Sequence, residues 1–395
     1  MIIISGLLAL IGVILALPTL SDLVSVVRSL VRRRPSSTEH PGELPRILFL
    51  VPAHDEEVLI AHTVASLGSQ DYPAAWRPVV VIADNCSDRT ADIAADAGAR
   101  VLVRQDAERR GKPYALQWAL GHIPIDDYDA VVVVDADAVV DRGFARALAA
   151  AGPLHDRAWQ TFNDVRNQGE NALTRMAAVF SAARAQFINA LKHRVGVNVP
   201  LANGLCLGRE VVRRHGWNAL SICEDWEMYA LLTLAGERIE NVPDARVSAQ
   251  EARTLAQSSS QRQRWAAGKI TVLGQLGPRL LRSRAISPWQ KLDVLAELTA
   301  PGPVVHAALA VLLGLVALLV PGTAFLLVLL GVSVLRVMVY AVLGLTRVRE
   351  PARALLAFAY LPLYAVWRLG VQVSALRMVG AKPWVRTGRH APQAP

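Results

Sequence analysis

Two aspartates directly follow a run of four valines, Val131–Val134, at positions 135 and 137. A continuous β-branched run predicts a strand buried on both faces, because a half-exposed strand would alternate apolar and polar residues. In open α/β sheets, ligands bind beyond the carboxyl ends of the strands, so Asp135 and Asp137 lie where a ligand is expected. The two carboxylates repel each other, and a divalent cation such as Mg²⁺ would remove that repulsion. The structural alternative is an aspartate-rich turn in which Asp137 caps a helix that starts near Val139.

An aspartate and a lysine stand at two earlier points where a ligand could bind. Asp84 follows the strand predicted at 79–82, just as Asp135 follows the valine strand. Lys112 ends a basic turn before a predicted helix, and a cationic turn at a helix start suits a phosphate. A solvated basic turn remains the alternative for Lys112. We interpret Asp88 as a cap of the next helix, not as a ligand-binding residue.

Two stretches in the second half of the chain carry further polar groups. Glu224 and Asp225 are adjacent in the first turn of a predicted helix, where the helix dipole alone would favour acids. Residues 201–206 are small or apolar, so the backbone at Asn203 and Gly204 could approach a ligand closely.

A third polar group lies on a predicted helix between 258 and 269. Gln261, Arg264 and Trp265 are spaced three and four residues apart and therefore share one face. An amide, a guanidinium and an indole on one face suit a phosphate with a flat partner beside it. The alternative is a basic amphipathic helix at a membrane surface. The two interpretations are compatible if Arg262 faces lipid headgroups.

The elements that position these groups alternate between strands and helices up to the valine run. Such alternation predicts a parallel sheet covered by helices. A dinucleotide site would need a glycine-rich turn after the first strand, but Pro52–Glu57 contains no glycine, which argues against a dehydrogenase. The predicted strands are 46–51, 79–82, 101–103, 131–134 and 159–165, and the predicted helices are 56–67, 90–97, 114–120 and 171–191.

Bulk composition points to a membrane protein. The net charge is +9, which the positive-inside bias of membrane proteins explains. No element interleaves lysine or arginine with aromatic residues, so no nucleic-acid partner is expected. The cysteines Cys86, Cys206 and Cys223 are scattered and are interpreted as small buried apolar residues.

Apolar stretches and flanking arginines predict the membrane topology. Residues 2–20, 302–320 and 323–345 are long apolar segments, and arginines follow the first and the third. The positive-inside rule then places the N-terminus outside and the following domain in the cytoplasm. Residues 354–367 are apolar but short, which favours an interfacial or re-entrant segment. Arg336, within the third segment, is either functional or snorkels to the interface.

The expected protein is integral to a bacterial-type inner or plasma membrane and has six regions. They are an N-terminal transmembrane anchor (1–31), a linker (32–45), a cytoplasmic catalytic domain (46–255), amphipathic interface helices (256–300), a transmembrane hairpin (301–346), and an interfacial or re-entrant segment with a basic tail (347–395).

Taken in order, these motifs resemble those of membrane-bound family 2 glycosyltransferases. That group includes cellulose, chitin, hyaluronan and poly-N-acetylglucosamine synthases and ceramide glucosyltransferase. The resemblance covers roughly residues 45–270 by motif and the flanking segments by layout. It implies an α/β fold with a GT-A-type nucleotide-sugar-binding domain and a mostly parallel sheet, plus transmembrane and interfacial helices. The residues that carry it are Asp84, Asp135, Asp137, Glu224, Asp225, Gln261, Arg264 and Trp265.

The resemblance also implies a role for each residue. Mg²⁺ or Mn²⁺ is expected at Asp135 and Asp137, and Asp225 is the expected general base, with Glu224 beside it. The expected donor-binding residues are Pro52, His54, Glu56, Asp84, Lys112, Asp135, Gln261 and Arg264. The expected acceptor-binding residues are Trp265, Asn203 and Gly204. The tail Trp384–Arg389 is similar to a W-x-x-T-x-R end found in some members.

The expected reaction is inverting transfer from a nucleotide-sugar, expected to be a UDP-sugar, to a glycan acceptor with formation of a β-linkage, as in exopolysaccharide synthesis. Two alternatives stay open: transfer of one sugar to a lipid acceptor, and a non-catalytic nucleotide-binding or export subunit. The chain departs from the family pattern at Asp55, where several members have asparagine, and at Cys223, where polymerising members often have threonine. These departures and the few membrane segments count against processive synthesis.

Overall fold

The computed structural model describes residues 2–31 and 43–380 and divides the chain into two compact units. Much of the expected linker and the whole Trp384–Arg389 tail lie outside the described residues. We call the two parts the helical unit and the sheet unit. Among the described residues, the helical unit comprises 2–31, 168–197 and 252–380, and the sheet unit comprises 43–167 and 198–251. Residues 168–197, which lie within the range expected for the catalytic domain (46–255), group with the helical unit, and the expected domain bounds stay a prediction.

The sheet unit is built on one mixed eight-stranded sheet with the order β3-β2-β1-β4-β7-β6-β8-β5. The pairs β3–β2, β2–β1, β1–β4 and β6–β8 are parallel, while β4–β7, β7–β6 and β8–β5 are antiparallel. The strands are β1 (Ile47–Ala53), β2 (Val79–Asp84), β3 (Arg100–Arg104), β4 (Ala130–Val133), β5 (Val139–Val140), β6 (Ala158–Val165), β7 (Leu205–Gly208) and β8 (Ile239–Ala249).

Fifteen α-helices complete the described chain, and Arg184–Ile188 is a π-helical segment between two of them. The helices are α1 (Ile2–Val31), α2 (Ile60–Gly68), α3 (Thr90–Asp96), α4 (Lys112–Leu120), α5 (Phe144–Ala150), α6 (Ala172–Ala183), α7 (Asn189–Val195), α8 (Arg209–His215), α9 (Glu224–Leu234), α10 (Leu255–Arg282), α11 (Pro288–Thr299), α12 (Pro303–Ala317), α13 (Ala324–Leu345), α14 (Pro351–Ala357) and α15 (Leu361–Ala375).

The apolar runs form the centre of the sheet, as the sequence predicts. Every residue of β1 and β4 is buried, because helices cover both faces of these strands. β1 lies between β2 and β4 and runs parallel to both, so the carboxyl ends of all three strands meet at one edge. That edge carries the turns that begin at His54, Asn85 and Val134.

The segment after the valine run does not form the helix of the structural alternative. Val139 and Val140 form the short strand β5, which pairs antiparallel with Val247 and Ser248 of β8. The helix that this alternative placed near Val139 is therefore absent, and Asp137 does not cap one. Pairing with a distant strand prevails over a local turn here because both valines favour extended backbone.

The helical unit contains the segments that can cross a membrane. Its α1, α12 and α13 pack together through buried apolar residues such as Leu15, Ala310 and Leu330. By length and composition, three helical runs could each cross a bilayer: Gly6–Val31, Ala324–Leu345 and Pro351–Met378.

Two of the expected membrane segments differ from these runs. The segment expected at 302–320 corresponds to α12, which has 15 residues and is bent by 87° from α11, so the two could together form one broken span. The segment at 354–367 belongs to the 28-residue run Pro351–Met378, so shortness is no longer a reason to consider it interfacial.

Buried charges tie the helices of this unit together. The Lys192 ammonium on α7 pairs with Asp293 and lies 2.9 Å from Glu297 Oε1, both on α11. Arg184 Nη2 lies 2.7 Å from Glu297 Oε2, and the Ser21 hydroxyl of α1 donates to Asp293 Oδ1 at 2.8 Å. Each charge has an opposite partner, as buried ions require.

Arg336 is also paired within the helical unit. Its guanidinium bonds to Asp22 of α1, and the Tyr340 hydroxyl donates to the same carboxylate. The guanidinium also lies 4.7 Å from the centre of the Tyr340 ring. The ion pair links α13 to α1, which gives this arginine a structural role.

Candidate active site

A single lysine joins three carboxylates at the carboxyl edge of the sheet. The Nζ atom of Lys112 lies 2.9 Å from Asp135 Oδ1, 2.9 Å from Glu224 Oε1 and 3.8 Å from Asp225 Oδ1. The fold thus brings together three of the motifs that the sequence places far apart. We call these four residues the lysine cluster.

Each member of the lysine cluster stands at the end of an element. Asp135 follows β4, and Lys112 begins α4 after Gly111, whose φ of +106° is a conformation that favours glycine. Glu224 and Asp225 begin α9, as the sequence predicts. The four side chains converge because the two helix starts and the strand end share one edge of the sheet.

The charges of the cluster keep Lys112 protonated. Burial opposes its charged form, but the neighbouring carboxylates outweigh this effect and raise the pKa of Lys112 well above its usual value. One cation among three carboxylates leaves a net negative charge, and the second aspartate of the D-x-D motif, Asp137, adds to it. Asp137 is 7 % exposed. A cationic ligand would therefore be attracted here.

Hydrogen bonds join the backbone at the start of the D-x-D motif to the small-residue stretch 201–206. The Asn203 Oδ1 atom accepts a hydrogen bond from the Asp135 backbone N–H at 3.0 Å. The antiparallel register of β7 on β4 explains this contact, because it pairs Leu205 with Val133 at the end of the valine strand. Gly204 has φ of +74°, and its N–H donates to the Val133 carbonyl at 3.0 Å. Asn203 and Gly204 thus shape the D-x-D turn, while contact with an acceptor stays a prediction.

Asp84 lies at the same edge but has a strong partner that the sequence analysis missed. Arg104 Nη1 lies 2.5 Å from Asp84 Oδ1, and the two side chains are only 4 % and 5 % exposed. The other Asp84 oxygen accepts from the Gly111 N–H at 3.3 Å, directly before Lys112. His54 Nδ1 lies 2.7 Å from the Asp84 carbonyl oxygen. Asp84 therefore connects the first turn to the start of α4.

Arg104 could have been found from its position. The predicted third strand ends at Val103, whereas β3 continues through Arg104, which pairs with Asp84 in the parallel register. The same guanidinium bonds to Asp106 Oδ2 at 2.7 Å and to the Arg109 carbonyl at 2.8 Å. The sequence offered one signal for this pair: an arginine at the end of one strand, next to a strand that ends in an aspartate.

Neighbouring elements contact the turn after β1, which is expected to bind the donor. Pro52 is buried in β1 in register with Ile82 of β2. The Glu56 N–H donates to the Thr90 hydroxyl at 2.7 Å, so the turn rests on the start of α3. Contact of Pro52, His54 or Glu56 with a nucleotide stays a prediction.

Asp55, Cys86 and Asp88 offer three atoms within 4.8 Å of one another that could hold a metal. The Asp55 carboxylate already accepts from the Ser87 N–H at 2.7 Å, and Asp88 accepts from the Thr90 N–H at 2.9 Å. The second contact gives the first N–H of α3 an acceptor, although the N-cap position is occupied by Arg89, which makes no side-chain capping bond, so Asp88 is not the N-cap residue. Burial raises the pKa of the Cys86 thiol, which makes it a poor metal ligand.

Gln261, Arg264 and Trp265 lie on α10 in the helical unit, as the three- and four-residue spacing predicts. Trp265 is 40 % exposed, and the Arg262 guanidinium lies 5.6 Å from its ring centre. A role for these three residues beside the donor stays a prediction.

The chain is similar in sequence to known glycosyltransferases. A family model described as "Glycosyltransferase like family 2" matches residues 45–268, more than half of the chain. The chain is 26 % identical over 253 residues to a probable glycosyltransferase, YdaM, of Bacillus subtilis, covering 61 % of this chain and 59 % of that protein. It is 29 % identical over 265 residues to a beta-monoglucosyldiacylglycerol synthase of Trichormus variabilis, covering 65 % and 55 %. The chain thus spans little more than half the length of these relatives.

A solved structure shows the same fold across nearly the whole chain. It is a mannosyltransferase from Pyrobaculum calidifontis in complex with GDP-Man and Mn²⁺, with a TM-score of 0.54 and 19 % identity. The similarity covers 93 % of this chain and 99 % of that one. The expected GT-A-type fold is thereby confirmed.

Proposed function

Because the chain belongs to glycosyltransferase family 2, we propose that it transfers one sugar from a nucleotide-sugar to a lipid acceptor at a membrane, with inversion at the anomeric carbon. The lysine cluster is the observation that carries this proposal. It combines carboxylates for a base and for a metal with a cation for a diphosphate. The donor is proposed to be a UDP-sugar and the product linkage β.

A divalent cation fits the residues at the end of β4. Asp135 and Asp137 offer only carboxylate oxygens, and Mg²⁺ is typically held by one or two carboxylates together with substrate phosphates. Asp135 already binds a cation, the Lys112 ammonium, at 2.9 Å. We propose that Asp135 and Asp137 hold Mg²⁺ or Mn²⁺, which would neutralise charge on the donor diphosphate.

The reaction needs a base and a way to stabilise the leaving group. The acceptor hydroxyl attacks the anomeric carbon, Asp225 takes the hydroxyl proton, and the bond from that carbon to the diphosphate oxygen breaks. The nucleoside diphosphate departs with its extra negative charge, and Lys112 lies among the groups that face it. Asp225 suits the base role because it is 26 % exposed at a helix start. A single displacement of this kind inverts the anomeric centre.

The lipid acceptor is preferred over a glycan on two grounds. Three relatives carry the name beta-monoglucosyldiacylglycerol synthase, at 28–29 % identity, whereas the glucomannan 4-beta-mannosyltransferase relative is 21 % identical. In addition, only three helical runs of the described chain could cross a membrane singly, or four segments if α11 and α12 form one. Glycan transfer in exopolysaccharide synthesis is the second candidate. We propose that the sheet unit faces the cytoplasm.

One assay separates these candidates. Membrane vesicles with the wild-type chain or with Asp225→Asn receive Mg²⁺ and a panel of radiolabelled nucleotide-sugars. Label in the lipid-extractable fraction that depends on Asp225 supports the proposal and identifies the donor. Label in the ethanol-insoluble fraction would instead indicate a polysaccharide synthase.

Two further outcomes would contradict the proposed catalytic roles. Tight UDP binding with no turnover of any donor would indicate a non-catalytic nucleotide-binding or export subunit. Full activity in excess EDTA would remove the metal from the proposed roles of Asp135 and Asp137, since chelation should stop the reaction and added Mg²⁺ or Mn²⁺ should restore it.

A further inference from the structure

The segment 252–292 of the helical unit is strongly basic. It contains eight lysine or arginine residues and neither aspartate nor glutamate. Two of them, Arg262 and Arg264, lie in the segment that carries Gln261 and Trp265. The proposed function does not use the cations that lie further along, at the end of α10 and the start of α11.

These later cations form one surface with the end of α1. The Arg28 guanidinium of α1 lies 5.2 Å from the centre of the Trp289 ring at the start of α11. The Lys291 ammonium donates to the Leu281 carbonyl at 2.8 Å, which joins the start of α11 to the last turn of α10. We call this surface the basic corner. It consists of Arg28, Arg279, Arg282, Arg284, Trp289 and Lys291.

The cations of the basic corner lack anionic partners within the described residues, where none of the five forms an ion pair. The buried Arg28 Nε atom also has no hydrogen-bond acceptor. An arginine without an anionic partner in the protein can donate its accessible N–H groups to an external phosphate. Arg279, Arg282 and Arg284 are exposed.

The neighbours of the basic corner indicate where that ligand comes from. Leu30 and Val31 at the end of α1 are 81 % and 84 % exposed, and Leu281 is 57 % exposed. Trp289 is 45 % exposed beside them. The run Gly6–Val31 could cross a bilayer, so the corner lies at the end of an apolar span. The boundary between acyl chains and headgroups favours this order of side chains: aliphatic residues, then an exposed indole, then arginines.

We propose that the basic corner binds the phosphate headgroups of anionic phospholipids in preference to zwitterionic ones. Arginine forms paired hydrogen bonds with phosphate oxygens. A zwitterionic headgroup carries its own cation, which competes with the arginines, whereas phosphatidylglycerol offers its phosphate alone. The membrane would thereby hold α1 and the α10–α11 junction together. This inference goes beyond the proposed function and requires no sugar donor.

The test measures lipid binding directly on the full chain. Detergent-solubilised protein is mixed with equal amounts of phosphatidylglycerol and phosphatidylcholine of identical acyl chains. Native mass spectrometry then counts the retained lipids. We expect the wild-type chain to retain mainly phosphatidylglycerol. The variant R279Q/R284Q should lower the ratio of retained phosphatidylglycerol to phosphatidylcholine by roughly 25-fold, since each of the two removed cations contributes about a fivefold factor near an anionic surface.

Two control variants separate this effect from net charge and from misfolding. R100Q/R142Q removes two exposed arginines from the sheet unit and should leave the ratio unchanged. R279K/R284K keeps the positive charge and should retain most of the preference. Equal retention of both lipids by the wild-type chain would overturn the proposal, and so would an equal loss in R279Q/R284Q and R100Q/R142Q. Because no turnover is measured, these outcomes are independent of whether the transferase assay succeeds.

Discussion

Lys112 Nζ lies 2.9 Å from Asp135 Oδ1, which places a protonated amine on the first carboxylate of the D-x-D motif. The lysine begins α4 and the aspartate follows β4, so the contact joins two elements at the carboxyl edge of the sheet. A fixed cation therefore stands at a carboxylate that we propose as a metal ligand. The two cations should compete for Asp135, and they should cooperate once a diphosphate is bound.

Lys112→Met should have opposite effects on metal binding and on turnover. Removing the competing cation should strengthen Mn²⁺ binding by about tenfold in the absence of nucleotide. Turnover should fall by roughly 10²–10³-fold, because a group near the departing diphosphate is lost. Electron paramagnetic resonance of free Mn²⁺ gives the affinity, and the vesicle assay gives the rate.

Lys112→Arg is the matched control because it keeps the positive charge. Its Mn²⁺ affinity should stay close to that of the wild-type chain. Weaker Mn²⁺ binding in Lys112→Met would show that the lysine supports the metal site instead of competing with it.

The two acids that begin α9 should differ in their effects on the rate. Asp225→Asn should lower kcat by roughly 10²–10⁴-fold, which is the usual contribution of a general base. Glu224→Gln should lower it by only about tenfold, because Glu224 Oε1 lies 2.9 Å from Lys112 and is expected to position that lysine. Calorimetry with the nucleoside diphosphate of the identified donor should show little change in binding for Asp225→Asn. A larger loss of kcat in Glu224→Gln would reverse the two assignments.

Arg104→Gln should destabilise the sheet unit strongly. The substitution leaves the Asp84 carboxylate, 5 % exposed, without its cation. Breaking a buried ion pair in this way typically costs about 3–5 kcal/mol, which lowers the melting temperature by roughly 10 °C in a unit of this size. Thermal unfolding followed by circular dichroism measures the change.

A double variant and a neighbour on the same strand test this interpretation. Adding Asp84→Asn to Arg104→Gln should recover part of the loss, since no buried charge is then unpaired. Arg100→Gln changes an exposed arginine of β3 and should alter stability by less than about 0.5 kcal/mol. Equal losses in Arg100→Gln and Arg104→Gln would contradict the buried ion-pair explanation.

Glu237 should make stability depend on pH. Burial would raise its pKa, but hydrogen bonds from Arg214 and His215 outweigh burial and lower the pKa below its usual value. A lowered pKa in the folded state stabilises the protein above the unfolded-state pKa of about 4.3. This contribution is lost as the pH falls from there through the folded-state pKa.

The corresponding variant is Glu237→Gln. At pH 7 it should cost roughly 1 kcal/mol, a modest value because Arg214 is 46 % exposed and solvent screens the pair. As the pH falls below about 4.3, the difference in melting temperature from the wild-type chain should shrink, because the unfolded and then the folded carboxyl group becomes protonated. Glu108→Gln, which changes an exposed glutamate, should show no such dependence. A stability difference that grows towards low pH would contradict a lowered pKa for Glu237.

Much of the fold follows from local patterns in the sequence. Continuous apolar runs produce the buried strands β1 and β4 because such runs have no polar face to expose. Asp135 follows a strand and Asp225 lies at the start of a helix, and the neighbouring residues predict both positions. Gln261 and Trp265 share one helical face, and this likewise follows from their four-residue spacing along one helix.

Contacts between distant segments were decided by the tertiary structure. Lys112 meets Glu224 across more than one hundred residues, and Asn203 reaches Asp135 through the antiparallel register of β7 on β4. No local pattern encodes a register, because it depends on which strand lies alongside and where the pairing begins. For the same reason the sequence predicted a helix near Val139 as one alternative, where pairing with β8 forms a strand. Residue types and spacing thus determined which groups are available for chemistry, and the packing of the sheet determined which of those groups touch.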